Sequence, residues 1–318
     1  MKLQSKWLLK TLILTCCLLI ISAMIGRYFL VKTVYNTDLL IIDPKFKTVI
    51  VGASHSATSI NPDFFENTIS LSRSGEPIFF TYYKIKKILE NNPSIKKVIF
   101  SISSIHISKY AERSFFKGGS GSRIFSLEYY MFVDDFNDPL LPIFNADRAV
   151  ASLKYDIGLP FNYMEDLKVS LNYYTNKIDL NQYKYFGGYE SLQGSKVDLD
   201  TLTKRIIFYF GDKKVQDSYE LSNVGITSIK RIMSLAEKFD IDIHIINTPM
   251  HKHFYQRVPD FFRTNYYQLI EEVTNNYKNI YFHDYANMPF PDEHFLDGDH
   301  LNSKGADVFS KKIASDFD

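Results

Sequence analysis

Two kinds of apolar pattern alternate along the early and late parts of this chain. Short β-branched runs are typical of buried strands, and apolar residues spaced three and four apart indicate helices. The first pattern predicts strands at residues 48–51, 68–71, 97–103, 241–246 and 279–282. The second predicts helices at residues 77–91, 223–239 and 261–277, and a last helix that ends near residue 315. Because strands and helices alternate, we predict a parallel sheet with helices on both faces.

Cap residues mark two helix starts within this pattern. Asn61 precedes Pro62, which is the order expected for a helix N-cap followed by the first helical residue. Asn302 is placed to cap the last helix in the same way.

The regular pattern is lost between about residues 107 and 223. Glycines recur there and predict mobile segments, at Gly118, Gly119, Gly121, Gly187 and Gly188. We expect an insertion of short helices and loops, which serves as a lid or a substrate platform. A packed subdomain with no direct role is the alternative.

The N-terminus carries a separate apolar segment. Lys2, Lys6 and Lys10 precede an apolar run at residues 11–26, and Arg27 follows it. Because lysines mark the cytoplasmic side, we predict a single-pass anchor at residues 1–31 in the inner (cytoplasmic) membrane, with an extracytoplasmic domain at residues 32–318. A cleaved signal peptide with a small-residue site at Ser22-Ala23 is the competing interpretation.

Composition narrows the classes of function. The net charge is +1, with 37 basic and 36 acidic residues, so no nucleic-acid partner is indicated. The only cysteines are Cys16 and Cys17, so the rest of the chain cannot use thiol catalysis or cysteine metal ligands. Aromatic residues make up 15% of the chain, which suits surfaces for sugars or a membrane interface, although compositional bias also explains much of this.

Candidate chemistry follows the first and last predicted strands. The strand at residues 48–51 ends at Gly52, and Ser54 comes two residues later, where a small-residue turn exposes a hydroxyl and backbone N–H groups. Asp297 precedes His300 by three residues, a spacing that lets a carboxylate orient a catalytic imidazole. Asp299 is the alternative orienting acid. In a parallel sheet both motifs lie at the carboxyl edge, where such sheets bind ligands.

Further polar residues lie near the same predicted edge. His251 and His253 follow the strand at residues 241–246 and are candidate substrate contacts, with plain loop surface as the alternative. Two alternating histidines without a matched acid cluster make a poor zinc motif, so we predict no metal site and no cofactor. Arg73 is a candidate for binding an anionic group, with a surface salt bridge as the alternative.

The order of these motifs resembles the SGNH (GDSL-like) hydrolase superfamily. In that superfamily a serine block comes first and an Asp-x-x-His block comes last, as Gly52-Ala53-Ser54 and Asp297–His300 do here. The resemblance covers roughly residues 47–106 and 223–316, and it implies a three-layer α/β/α sandwich with a mainly parallel, flavodoxin-like sheet. With its N-terminal segment, the chain is also similar to the membrane-attached acyltransferase branch, which includes alginate O-acetylation and teichoic acid D-alanyl-transfer proteins.

The resemblance implies a role for each matching residue. Ser54 would be the nucleophile, His300 the general base and Asp297 its orienting acid, while the N–H groups of Gly75 and Ser54 would bind the oxyanion. The superfamily's Gly-x-Asn-Asp block is absent, and residues 101–104 occupy its place. Ser103, Ser104 or a residue of the insertion would then supply the missing donor.

The expected activity is acyl transfer or ester hydrolysis on O-acyl groups of a surface polysaccharide or glycoconjugate. The partners would be a carbohydrate or glycolipid acceptor and an acyl donor, which a membrane-bound protein could supply. A non-catalytic carbohydrate-binding or assembly protein on a degenerate SGNH scaffold is the alternative, and the missing asparagine favours it.

Overall fold

The fold is described here from a computed structural model. The structure describes residues 6, 7, 9–15, 17, 18, 21, 40–116, 138–140, 187–195, 197–211 and 219–317.

The centre of the fold is a five-stranded sheet in which every strand pairs in parallel with its neighbours. The strand order is β2-β1-β3-β4-β5. The strands are β1 (Thr48–Val51), β2 (Thr68–Ser70), β3 (Lys97–Ser101), β4 (Asp242–Asn247) and β5 (Ile280–Asp284). All five match the predicted strands to within a few residues, and the order is the flavodoxin-like one.

The helices of the described part follow the strands. They are α1 (Ser54–Ser59), α2 (Ile78–Asn91), α3 (Lys109–Phe116), α4 (Leu199–Phe210), α5 (Asn223–Phe239), α6 (Lys252–Tyr255), α7 (Asp260–Asn276) and α8 (Ser303–Phe317). Short 3₁₀ turns occupy Pro62–Phe64, Ser104–Ile107 and Asp292–His294. The helices predicted at residues 77–91, 223–239 and 261–277 and the last helix are confirmed. Helices α3 and α4 lie in the insertion, where short helices were predicted without bounds, whereas α1 and α6 were not predicted.

Both predicted caps are present. The Asn61 side chain accepts the N–H of Asp63, although the element that it starts is a 3₁₀ turn. The Asn302 side chain accepts the N–H of Gly305 at 3.1 Å and so caps α8.

Alternate strand residues pack into cores on opposite faces of the sheet. Val49 and Val51 belong to the larger core, which also buries apolar residues of α2, α5 and α7. Ile50 points the other way and packs with Phe309 and Ile313 of α8. The chain is therefore an α/β protein with helices on both faces of a parallel sheet.

Part of the predicted insertion packs onto this framework. Helix α4 buries Leu202, Ile206 and Phe210 in a third apolar cluster with Phe254 and Phe262. Residues 187–194 of the insertion, called the strap below, run across the domain. The N–H of Gly188 donates to Ser72 O at 2.7 Å, and Leu192 O accepts the N–H of Ser303 at 2.7 Å. The strap thus links the turn after β2 to the start of α8, while Gly118, Gly119 and Gly121 lie outside the described residues.

The predicted anchor lies mostly outside the described residues. Residues 9–15 are helical. Among the residues that the structure describes, no helix is both long enough and apolar enough to span a membrane.

Candidate active site

Ser54 is presented by a tight turn between β1 and α1. Gly52 adopts φ +126°, and a Cβ there would lie 2.6 Å from Ser56 Oγ, so the position requires glycine. Ser56 Oγ donates to Val51 O at 2.8 Å and contacts Ser101 Oγ at 2.6 Å, which ties the turn to β3. Ser54 is the first residue of α1 and is therefore held at the carboxyl edge of the sheet.

A second tight loop carries Asp297 and His300. Asp297 Oδ1 accepts the N–H of Asp299 at 3.1 Å and the N–H of His300 at 3.0 Å. An antiparallel bridge between Phe295 and Leu301 closes the loop. The backbone N–H groups of the loop therefore hold the Asp297 carboxylate independently of its contact with the imidazole.

The two loops bring Ser54, His300 and Asp297 together. Ser54 Oγ lies 2.7 Å from His300 Nε2, and His300 Nδ1 lies 3.1 Å from both carboxylate oxygens of Asp297. In this arrangement Nδ1–H donates to Asp297, which leaves Nε2 as the acceptor for the serine proton. The geometry is that of a nucleophile, a general base and an orienting acid.

Asp299 does not orient His300. Its Oδ2 lies 3.9 Å from His300 Nε2 and 3.0 Å from His55 Nε2. Its carboxylate also accepts from Tyr209 Oη at 3.1 Å and from Arg205 Nε at 2.5 Å. Asp299 is fully buried and serves as the centre of a polar cluster beneath the triad.

Arg205 and Tyr209, both on α4, were not predicted as site residues. Arg205 Nη1 lies 3.2 Å from Asp297 Oδ2, and Nη2 lies 3.2 Å from His300 Nδ1. The guanidinium also donates to Tyr209 Oη at 2.5 Å. The helical spacing of Leu202, Ile206 and Phe210 would have predicted α4, but no sequence signal placed that helix beside the triad.

The charges around His300 set its pKa. Burial alone lowers the pKa of His300, but the carboxylates of Asp299 and Asp297 outweigh it, so the pKa lies above its ordinary value. Arg205 acts in the opposite direction. Burial would raise the pKa of Asp299, yet the charge of His300, the hydrogen bond with His55 and the Arg205 guanidinium hold that pKa well below its ordinary value. Burial lowers the pKa of His55 despite its contact with Asp299.

Gly75 lines the same crevice as Ser54. It adopts φ +77°, in the turn after β2. Within the described part of the chain, the N–H groups of Ser54 and Gly75 donate no hydrogen bond. Both donors are therefore free to bind an oxyanion in the crevice.

The other predicted substrate residues do not line this crevice. The N–H of Arg73 donates to Gly52 O at 2.9 Å, which joins the two turns. Ser103 and Ser104 are buried at the end of β3. His251 pairs with Asp292 at 3.0 Å, and its Nδ1 accepts the N–H of His253 at 3.3 Å.

Other residues form the crevice wall instead. They include His55, Pro77, Ile105, His106, Tyr110 and Tyr209. Ile105 and His106 directly follow Ser103 and Ser104. The sequence therefore predicted the correct loop for the crevice wall, but the residues that line the crevice are the next two.

Among the residues that the structure describes, one group of side chains has ligand atoms close enough for a metal ion. These atoms, from His55, Asp299 and His300, lie within 4.8 Å of one another. The Arg205 guanidinium already pairs with Asp299, and Ser54 already contacts His300 Nε2. Because a cation there would be repelled by Arg205, the group fits a hydrogen-bonded cluster better than a metal site.

The comparison with known proteins adds no family to this geometry. No protein-family model and no curated protein matches the chain.

Proposed function

We propose that this protein is an SGNH-type serine acyltransferase or esterase that works through a covalent acyl-Ser54 intermediate. The observation that carries the proposal is the contact of Ser54 Oγ with His300 Nε2 at 2.7 Å, with Asp297 on the other ring nitrogen. The N–H groups of Ser54 and Gly75, which have no acceptor among the described residues, belong to residues of the same crevice and support it.

The reaction begins when Ser54 Oγ attacks the carbonyl carbon of an ester. His300 Nε2 takes the hydroxyl proton, and the carbonyl oxygen becomes an oxyanion that the N–H groups of Ser54 and Gly75 stabilise. The oxyanion collapses, the bond to the leaving oxygen breaks, and His300 returns the proton to that oxygen. The acyl group is then bonded to Ser54 Oγ.

The second half of the reaction reverses these steps with a new nucleophile. His300 removes a proton from an attacking hydroxyl, which bonds to the acyl carbon and releases Ser54. The acceptor that we propose is a carbohydrate hydroxyl of a surface polysaccharide or glycoconjugate, and hydrolysis results when water attacks instead. The apolar N-terminal segment, which suits a membrane-attached enzyme, supports a substrate at the cell surface.

The direct test is labelling of the full-length protein in detergent with a fluorophosphonate probe, which bonds to activated serines. We expect the wild-type protein to be labelled and Ser54→Ala not to be labelled. Ser234→Ala is a matched control, because Ser234 is an exposed serine on α5. A wild-type protein that takes up no probe contradicts the catalytic proposal and favours the non-catalytic binding alternative.

A second experiment separates transfer from hydrolysis. The protein is given an activated acetyl ester with and without an oligosaccharide, and both free acetate and acetylated sugar are measured. Acetylated sugar that depends on Ser54 supports transfer. Free acetate as the sole product supports an esterase.

A further inference from the structure

The proposed oxyanion site has two backbone donors and lacks the asparagine of the SGNH superfamily. The loop after β3, where that asparagine would lie, instead contains the 3₁₀ turn Ser104–Ile107. His106 is in this turn and lines the crevice together with Ser54 and Gly75.

Hydrogen bonding fixes the tautomer of His106. Its Nδ1 accepts the backbone N–H of Ser103 at 3.0 Å, so Nδ1 carries no proton. A neutral imidazole with an accepting Nδ1 must carry its proton on Nε2. Burial, reinforced by His55, lowers the pKa of His106 to about 3, so the ring is neutral throughout the physiological range.

The Nε2–H group of His106 is available as a donor. Within the described part of the chain, His106 Nε2 has no hydrogen-bond partner. The atom is also not fully buried, because it is absent from the buried polar atoms without a partner. The His106 ring packs edge-on against His55 with 6.0 Å between centroids, and His55 packs against His300 with 5.2 Å between centroids. The His55 ring therefore contacts both His106 and the proposed catalytic base, His300.

The turn that carries His106 is held in place from behind. Gly225 at the start of α5 packs so closely that a Cβ there would lie 2.1 Å from His106 O. The N–H of Ser222 donates to Ile107 O at 2.7 Å. Donors that are fixed before the reaction stabilise a developing charge without reorganisation.

Tyr209 and the two serines before this turn are already used or buried. The Tyr209 hydroxyl donates to Asp299, and Arg205 donates to the same hydroxyl oxygen. Ser103 and Ser104 are buried outside the crevice lining.

We propose that the Nε2–H of His106 is the third oxyanion donor, in the place of the missing asparagine. It donates a hydrogen bond to the oxygen that becomes negative when Ser54 attacks, and its proton stays on Nε2 throughout. This inference rests on the proposed function, because it needs Ser54 to form a tetrahedral intermediate.

The test compares two variants of similar side-chain length, His106→Gln and His106→Met. Both remove the ring, but only glutamine offers an N–H near the position of Nε2. The readouts are the second-order rate constant of fluorophosphonate labelling and the melting temperature. We expect His106→Met to be labelled about 100-fold more slowly than the wild type, and His106→Gln to recover at least about tenfold of that loss.

The control variant changes a histidine outside the crevice. His283→Phe removes a histidine from β5, outside the crevice, and should leave labelling unchanged. Equal labelling rates for His106→Gln and His106→Met overturn the inference, whatever their melting temperatures. If the wild-type protein is labelled and Ser54→Ala is not, that result overturns His106 alone and leaves the proposed function standing.

Discussion

Ser54 and His300 meet at the carboxyl edge of the sheet, whereas Arg205 and Tyr209 approach them from α4, in the middle of the chain. The first pair contains the atoms that would exchange a proton with substrate. The second pair contacts the carboxylates and the imidazole that surround those atoms, and Tyr209 also lines the crevice. The loops at the sheet edge therefore supply the proposed reacting groups and their carboxylates, and the insertion adds a cation that opposes those carboxylates.

Removal of the base on the sheet side should have the largest effect. We expect His300→Ala to lower the second-order labelling rate by about 1,000-fold or more, because Ser54 then has no acceptor for its proton. The measurement is the rate of fluorophosphonate labelling.

The control for this variant is His283→Ala, on a strand away from the crevice. A loss of less than tenfold in His300→Ala would show that the 2.7 Å contact between His300 and Ser54 is not the one that activates the serine.

Removal of Arg205 should change stability and pH dependence more than the rate at high pH. Asp299 is fully buried and loses its guanidinium partner in Arg205→Met, so we expect unfolding to become easier by about 2–3 kcal/mol. Because Arg205 lowers the pKa of His300, its removal raises that pKa. His300 must be neutral to act as a base, so the acid limb of the labelling rate should move to higher pH.

Urea unfolding and a pH series of labelling rates measure these two effects. Arg263→Met is the matched control, because Arg263 pairs with the exposed Asp260 on α7. An acid limb that stays in place or moves to lower pH would refute the idea that α4 sets the charge of the site.

The smallest expected effect concerns the strap at residues 187–194. Glu190 accepts from Ser74 Oγ at 2.6 Å and from the N–H of Ser74 at 3.2 Å, one residue before Gly75. We expect Glu190→Ala to lower the free energy of unfolding by about 1 kcal/mol and to slow labelling a few-fold. Thermal melts and labelling rates measure this.

Gln193→Ala provides the comparison within the same strap. Gln193 donates to Ser303 Oγ at 2.7 Å, in an exposed position at the start of α8 and not in the Gly75 turn, so its loss should leave labelling unchanged. If the two variants slow labelling equally, the strap does not act through the Gly75 turn.

The sequence predicted the parts of the site that depend on local patterns. A β-branched run followed by Gly52 placed Ser54 at a strand end, and the spacing of Asp297 and His300 placed a carboxylate beside an imidazole. Such features follow from backbone geometry within a few residues. The sheet order is also consistent with the alternation of strands and helices.

The unpredicted parts depend on contacts between distant segments. Arg205 and Asp299 are 94 positions apart, and their pairing depends on how α4 packs against Phe254. Helix α1 contains the sequence Ser-His-Ser-Ala-Thr-Ser, in which most residues have weak helix propensity, so tertiary packing decides its form. His106 could not be predicted as a donor, because the proposed role depends on the backbone N–H of Ser103 binding Nδ1 and leaving the proton on Nε2.

Residues 40–42 enter the domain at the amino ends of the strands, whereas Ser54 lies at their carboxyl ends. Asn92, after α2, accepts the N–H of Ile42 at 2.6 Å and donates to Leu40 O at 2.7 Å, so residues 40–42 are fastened beside the amino ends of the strands. A four-residue strand such as β1 is roughly 13 Å long, and β1 runs from that end of the sheet to the turn that carries Ser54. A support attached next to residue 40 would therefore lie at the opposite end of the strands from Ser54, so immobilisation there should leave the proposed site open to polymeric esters.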